Sequence, residues 1–310
     1  MKKTQLYQSL YLFYSASSNG QEIRYVQYHY PTDTWFPESL VTGTSSILHR
    51  SPSAVFYKEL IYLFYTNSSW ELLFKIFDGI SWSHQISTNI HILSETSPRA
   101  FVVKNFGENE QLLLFFASTD NKTHIYKMGE DNTFPNKPMA APGKTNHSMT
   151  ADMLTDGEII TVYLGYVDNI TTWYSSSTNQ FSSDHQVIGL DQHPITDAGQ
   201  PFLMHHKSKN ELWLFHSGDS TPRYIYTIPY TGKGIFGLQI KSTSLITARG
   251  TPTALYINEN NIKISYAQDI TAKIIVRKIT SSNHIILGDP IEIGTGSGQP
   301  ASVFAWPTQQ

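Results

Sequence analysis

Eight side chains carry the chemistry that this sequence offers: Tyr65, Trp70, Arg99, Trp173, His216, Asp219, Arg223 and Tyr266. Rings among them can stack on the C–H face of a sugar, while Asp, Arg and His can bridge paired hydroxyls. Tyr65 with Trp70, and His216 with Asp219 and Arg223, each combine a ring with hydrogen-bonding groups within a few residues. Trp70 and Trp173 begin or lie within strands close to loops, whereas Trp213 alternates with the apolar residues of its strand and reads as packed. Catalytic patterns are missing: HExxH, GxSxG, a phosphate-cradling loop and an EF-hand do not occur. Glycosidic cleavage needs two facing carboxylates, and Asp152, Asp168, Asp197 and Asp219 lie in unlike segments that nothing pairs. With no cysteine, and His205-His206 placed to end a strand, neither a metal nor a cofactor is expected.

Those residues must be positioned by short strands. Ser51 to Ser83, SPSAVFYKELIYLFYTNSSWELLFKIFDGISWS, reads as a complete four-stranded meander with the hairpin signal Asp78-Gly79. Its opening recurs as Ser97-Pro98, Ser148-Met149, Gln200-Pro201, Thr251-Pro252 and Gln299-Pro300. Its second strand recurs as LFYS at Leu12–Ser15, LFYT at Leu63–Thr66, LFFA at Leu114–Ala117, LGYV at Leu164–Val167, LFHS at Leu214–Ser217 and ISYA at Ile264–Ala267. The third residues of these motifs follow one another at intervals of 51, 51, 50, 50 and 50. A fixed period of this length marks a repeat architecture. The expected fold is therefore all-β: one domain, 1–310, forming a six-bladed β-propeller of four-stranded antiparallel blades. The blades fall near 1–41 with 298–306, 49–90, 97–140, 148–190, 199–245 and 250–293. Leu10–Ser15 is a second strand with no first strand before it, and Gln299–Trp306 is a first strand without a second. Docking the two would close the ring and remove its edges.

Composition fits this reading. Charged residues make up 15% and aromatics 13%, and no stretch keeps a 3.6-residue apolar period. A net charge of −3 gives no electrostatic footprint for nucleic acid. No apolar run approaches a membrane span, and Gln5 and Gln8 interrupt the one that could pass for a signal peptide. Compartment stays open between cytoplasm and a non-classical secretory route.

Blade geometry brings the loops after each second strand and the segments before each first strand to one face. That face is rich in hydroxyls, amides and rings. It suits a polyhydroxylated ligand, held in fewer than six pockets because the repeats have diverged. Repeats two and five look best equipped, and repeat six, with Lys263 and Ser265 in its second strand, degenerate. Two pictures compete: separate blade pockets, or one anionic sugar in the central channel contacted by Arg50, Arg99 and Arg249. Residues opening the fourth strands (Trp35, Trp82, Phe134, Phe181 and Phe236) read as wedges between blades.

Six degenerate repeats with this grammar, SPSAVFY…LIYLFY…DGISWS, resemble the fucose-binding six-bladed lectins of fungi and bacteria. The resemblance implies a glycan-binding protein; the repeated sites point to multivalency, and the missing acid pair favours binding over catalysis. Those lectins use an arginine on one strand, a glutamate on the next and aromatics from the adjacent blade. Here only Arg24 follows a glutamate, Glu22, and the second strands carry no arginine, so no binding residue is carried across. Six-bladed sialidases are also similar in size and in the Asp-Gly-x-x-Trp of Asp78–Trp82. A sugar-cleaving enzyme and a protein-interaction platform therefore stand as alternatives to a lectin.

Overall fold

The computed structural model describes residues 8–16, 22–44, 51–94, 96–103, 110–135, 138, 143–166, 172–177, 181, 184–188, 190, 200–217, 222–248, 252–268, 271–281 and 285–305. Among them the chain is built of antiparallel strands, with a single 3-10 turn at Tyr30–Thr32. Repeat one contributes β1 (Ser9–Ala16), β2 (Ile23–His29), β3 (Thr34–Trp35) and β4 (Ser39–Leu40). Repeat two is the four-stranded sheet β5 (Ser53–Tyr57), β6 (Leu60–Thr66), β7 (Glu71–Phe77) and β8 (Ile86–His91), in that order. Repeat three shows β9 (Arg99–Val103), β10 (Gln111–Ala117) and β11 (Thr123–Lys127). Repeat four is β12 (Thr150–Met153), β13 (Ile159–Leu164), β14 (Thr172–Ser177) and β15 (His185–Gln186). Repeat five is β16 (Phe202–His206), β17 (Glu211–Ser217), β18 (Ile225–Tyr230) and β19 (Ile240–Lys241). Repeat six has β20 (Thr253–Asn258), β21 (Asn261–Ala267), β22 (Lys273–Ser281) and β23 (Ile285–Leu287), followed by the long β24 (Ile291–Ala305).

One register runs through all six repeats. The residue after each opening Pro or Met pairs across to the second strand: Ser53 with Phe64, Arg99 with Phe115, Thr150 with Val162, Phe202 with Phe215, Thr253 with Ser265 and Ala301 with Phe13. The next residue of each second strand is therefore Tyr14, Tyr65, Phe116, Tyr163, His216 and Tyr266. In repeat four this corrects the sequence register. Thr161-Val162-Tyr163-Leu164 stands where LGYV was expected, and Tyr166 lies outside the strand, 43% exposed. A second departure concerns repeat six, whose fourth strand is shared between β23 and the first residues of β24, both paired with β22.

β24 then continues past β22 and pairs with β1 from Ala16↔Gly296 to Ser9↔Ala305. It thus serves the sheets of repeats six and one together. The first strands touch in succession, β5 with β9, β9 with β12, β12 with β16, β16 with β20, β20 with β24 and β24 with β5. Small side chains of the opening motifs tie neighbours together. Ser97 Oγ accepts from Ser51 N at 3.1 Å, Ser148 Oγ from Ser97 N at 2.6 Å, Ser53 Oγ from Ala100 N at 2.9 Å and Thr150 Oγ1 from Leu203 N at 3.1 Å. A first strand has a sheet partner on one side only, so its other edge needs donors and acceptors from elsewhere. Part of the hydroxyl content that reads as ligand-binding in the sequence does this instead.

Second strands sit in the middle of each sheet with both faces covered, which is why they read as unbroken apolar runs. Phe13, Phe64, Phe115 and Phe215 are all fully buried. The residues opening the fourth strands pack onto the preceding repeat. Trp82 meets Phe13 edge-on at 5.8 Å, Phe134 meets Phe64 at 6.3 Å, Phe181 meets Phe115 at 6.5 Å and Phe236 meets Tyr174 at 4.9 Å. Close approach also fixes Gly296 on β24, where a Cβ would lie 2.7 Å from the carbonyl oxygen of Ser15. Backbone cannot yield as a flexible side chain can, so Gly296→Ala is expected to destabilise by about 1–3 kcal/mol. Urea unfolding measures this, and an unchanged midpoint would contradict the tight β1–β24 packing.

Candidate functional site

The structure separates the eight candidate residues into three groups. Tyr65, His216 and Tyr266 occupy the repeated ring position of the second strand and are 3%, 4% and 5% exposed. None presents a ring face to solvent. The Tyr65 hydroxyl donates to Gln85 Oε1 at 3.0 Å, and burial raises its pKa. His216 stacks on Tyr226 with centroids 5.1 Å apart and lies 3.1 Å from Gln239 Nε2. Burial pushes its pKa down to about 4. The pKa of Tyr266 is likewise raised by burial, which outweighs the opposing charge of Arg277.

In repeats one, two, four and five the buried ring tip has a polar partner just ahead of the fourth strand, and this pairing was invisible in the sequence. Tyr14 donates to Glu38, Tyr65 to Gln85 and Tyr163 to Asp184, while His216 contacts Gln239. Each partner stands two residues before the one that pairs with the third-strand residue opposite the ring: Leu40 with Arg24, Ser87 with Leu73, Gln186 with Trp173 and Lys241 with Tyr226. The Tyr14–Glu38 pair lies in a cleft against repeat six, and Asp184 of the Tyr163–Asp184 pair lines a depression shared with repeat five.

In repeat one the cleft reaches the surface. Arg24 lies across from Tyr14 on β2 and donates from Nη1 to Glu38 and from Nη2 to Glu22, the latter at 3.2 Å. The three side chains remain 37%, 27% and 31% exposed. Both carboxylates raise the pKa of Arg24, keeping the guanidinium charged. Gly294, arriving from repeat six, closes the back of the cleft: a Cβ there would meet the Tyr14 hydroxyl at 2.1 Å and Glu38 at 2.9 Å. Leu40 and Ile291 supply exposed apolar surface nearby in sequence. Arg24 thus holds two acids, Glu22 just ahead of its own strand and Glu38 just ahead of β4.

In repeat four an open depression of about 600 Å³ is lined by Trp173, Asp184, His185, Gln186 and Ile188, with Gly234 and Phe236 from repeat five. Asp184 takes the Tyr163 hydroxyl bond, its Oδ1 is buried without a partner among the described residues, and burial raises its pKa. An aromatic ring, a carboxylate, an imidazole and an amide share this depression.

The remaining candidates lie apart. Trp70 is half-buried with a left-handed φ of 61°, closing a turn whose Asn67 side chain accepts from Ser69 N and Glu71 N. Arg223 Nη1 donates to Ser217 Oγ at 3.4 Å beside the repeat-five loop. Asp219 lies outside the described residues, as do Arg50, Arg249, Asp168 and Asp197. Arg99 leaves the loop face altogether: its guanidinium carbon sits 4.6 Å over the Phe202 ring, inside the channel between the first strands. Among the described residues no group of three His, Asp or Glu could hold a metal ion, and no helix is long and apolar enough to cross a membrane.

No family model matches the chain, and no curated protein matches it by sequence. Solved structures do. The fucose-specific lectin from Aleuria aurantia is similar with a TM-score of 0.69 at 11% identity, covering 93% of this chain and 92% of that one. AofleA from Arthrobotrys oligospora is similar with a TM-score of 0.66 at 11% identity, covering 100% and 93%. A Hadza microbial sialidase, Hz136, is similar with a TM-score of 0.53 at 11% identity, covering 81% of this chain and 58% of that one. At such identities the likeness speaks for architecture alone, and the architecture it shows is the β-propeller of the six-bladed lectins.

Proposed function

We propose that this chain is a carbohydrate-binding protein, a six-bladed propeller closed by β24 against β1, which holds glycans in clefts between adjacent blades. The observation that carries the reading is the exposed Arg24–Glu38 pair at the edge of blade one. A guanidinium donates from a planar fork and a carboxylate accepts, so together they match the vicinal hydroxyls of a sugar. Apolar surface beside them suits the sugar's C–H face. The blade-four depression, with Trp173 and Asp184, is the second proposed site. Trp70 in blade two, and Arg223 with Asp219 in blade five, are further proposed contacts at the loop ends. Tyr65, His216 and Tyr266 support these clefts from within. The neighbours bear names that tie them to fucose, which makes fucosylated glycans the first class to try.

One monosaccharide buries little area and offers few hydrogen bonds, so repetition of the site is what raises affinity. A glycan array identifies the ligand, and titration calorimetry with that sugar counts the sites. Two or more sites per chain are expected, with Arg24→Ala removing one and Trp173→Ala another. A titration unchanged by both variants would overturn the cleft assignment. Turnover of a fluorogenic glycoside would favour the enzyme, and an array blank at high protein concentration would favour a protein partner.

A further inference from the structure

The channel between the first strands holds polar chemistry that the blade-edge sites do not use. Its wide end is a cavity of about 510 Å³ lined by β5, β9, β12, β16 and β20. Its narrow end, about 40 Å³, is ringed by the opening motifs, including Pro52, Pro98, Pro201 and Pro300. Arg99 and Phe202 line both. The Arg99 side chain therefore extends from blade three to stack on blade five, standing at the floor of the wide cavity. Asp152 of blade four lies in Coulomb range of it, but accepts backbone N–H bonds from Met153 at 2.9 Å and His205 at 3.0 Å. Arg99 Nε and His205 Nε2 are buried and have no hydrogen-bond partner among the described residues. Lys207, exposed, joins the lining at the mouth.

A guanidinium with one face on a ring keeps its N–H fork for a planar anion. Arg99 and Lys207 carry two positive charges against the single carboxylate of Asp152, and burial keeps His205 neutral, so the cavity is net positive. The first strands also have one edge unpaired within their sheets. Ser53, Thr150 and Asp152 take the N–H groups of Ala100, Leu203 and His205 there, and the rest of those edges offers backbone groups for hydroxyls. We propose that the wide end of the channel binds one small hydroxylated carboxylate, its anionic head received by Arg99 and His205 and its hydroxyls by the strand edges. This site is separate from the blade clefts and takes a charged ligand where they take neutral sugars.

Titration of the whole chain with glucuronate, and with glucose as the neutral counterpart, tests it. Glucuronate should bind as one molecule per chain and glucose should not. Arg99→Gln should weaken glucuronate binding by roughly tenfold or more, the loss expected for one charge-assisted hydrogen bond. Lys207→Ala, at an exposed position that leaves the fold intact, should weaken it by about threefold, as for a solvent-screened charge. Lys127→Ala, at an exposed lysine on β11 outside the channel, should leave it unchanged. Equal binding of glucose, no binding of glucuronate, or loss on Lys127→Ala instead of Arg99→Gln would each overturn the proposal. So would Lys207→Ala without effect, should Arg99→Gln fail to fold.

Discussion

Acidification from neutral pH to about pH 4 is expected to remove about 3 kcal/mol of stability through His216 alone. The ring is 4% exposed, and burial lowers its pKa from 6.5 to about 4. Below pH 6.5 the unfolded chain therefore takes up a proton at this residue while the folded chain does not. The stability is present in full above the unfolded pKa and lost as pH falls toward the folded one. The surroundings show why the neutral ring is held. Gln239 Nε2 can donate to Nε2 across 3.1 Å, while Nδ1 is buried without a partner among the described residues. A second ring proton would thus have no acceptor. Burial shifts His124, His205 and His206 the same way, so the wild-type slope includes other groups. His216→Tyr isolates the one. Tyrosine stands at the matching position of blades one, two, four and six, and in blades one, two and four its hydroxyl meets a carboxylate or an amide ahead of the fourth strand. Urea unfolding at pH 7 and pH 4.5 should show the variant losing markedly less stability than the wild type. Equal losses would mean that His216 titrates normally in the folded protein.

That position also shows what the sequence could and could not disclose. The period was legible because the middle strand of each sheet, buried on both faces, tolerates only apolar residues and a ring. Repeat four misled at one point only. Tyr163 follows Phe116 by 47 residues and precedes His216 by 53, so Tyr166 fits an even period better than the residue that occupies the strand. The same burial that made the ring position conspicuous disqualified Tyr65, His216 and Tyr266 as stacking platforms. The polar partners were hidden for the opposite reason. They precede fourth strands as short as two residues, and their distance from the ring varies with the intervening hairpin, 24 residues to Glu38, 20 to Gln85 and 23 to Gln239. No fixed spacing betrays them. Arg99 is legible as a candidate channel contact, but its reach across to Phe202 depends on blades three to five at once, which spacing along the chain does not carry.

Deleting Gln299–Gln310 is expected to abolish cooperative folding, because it removes the first strand of blade one, which pairs with β1 and packs against blade two. It would take from β1 its partners from Ala301 to Ala305, leaving the edge of a strand whose Leu10, Leu12 and Phe13 are buried. Ala301 also sits in the core cluster shared with Ala54, Leu63 and Tyr65 of blade two, so its removal opens that interface as well. Exposing even a few such side chains costs about 1.5–3 kcal/mol each. Two or three of them match much of the 5–15 kcal/mol by which a domain is stable. An unpaired edge of this length would also invite association between chains. Circular dichroism melting and gel filtration should find the truncated chain without a sharp transition and aggregated. A peptide spanning residues 296–310, added in trans, should restore part of the transition by occupying the vacant edge. Full stability of the truncated chain would show that the ring does not depend on β24. Rescue by a peptide in which Ala301 is replaced by Asp would show that burial against blade two is not what the strand contributes.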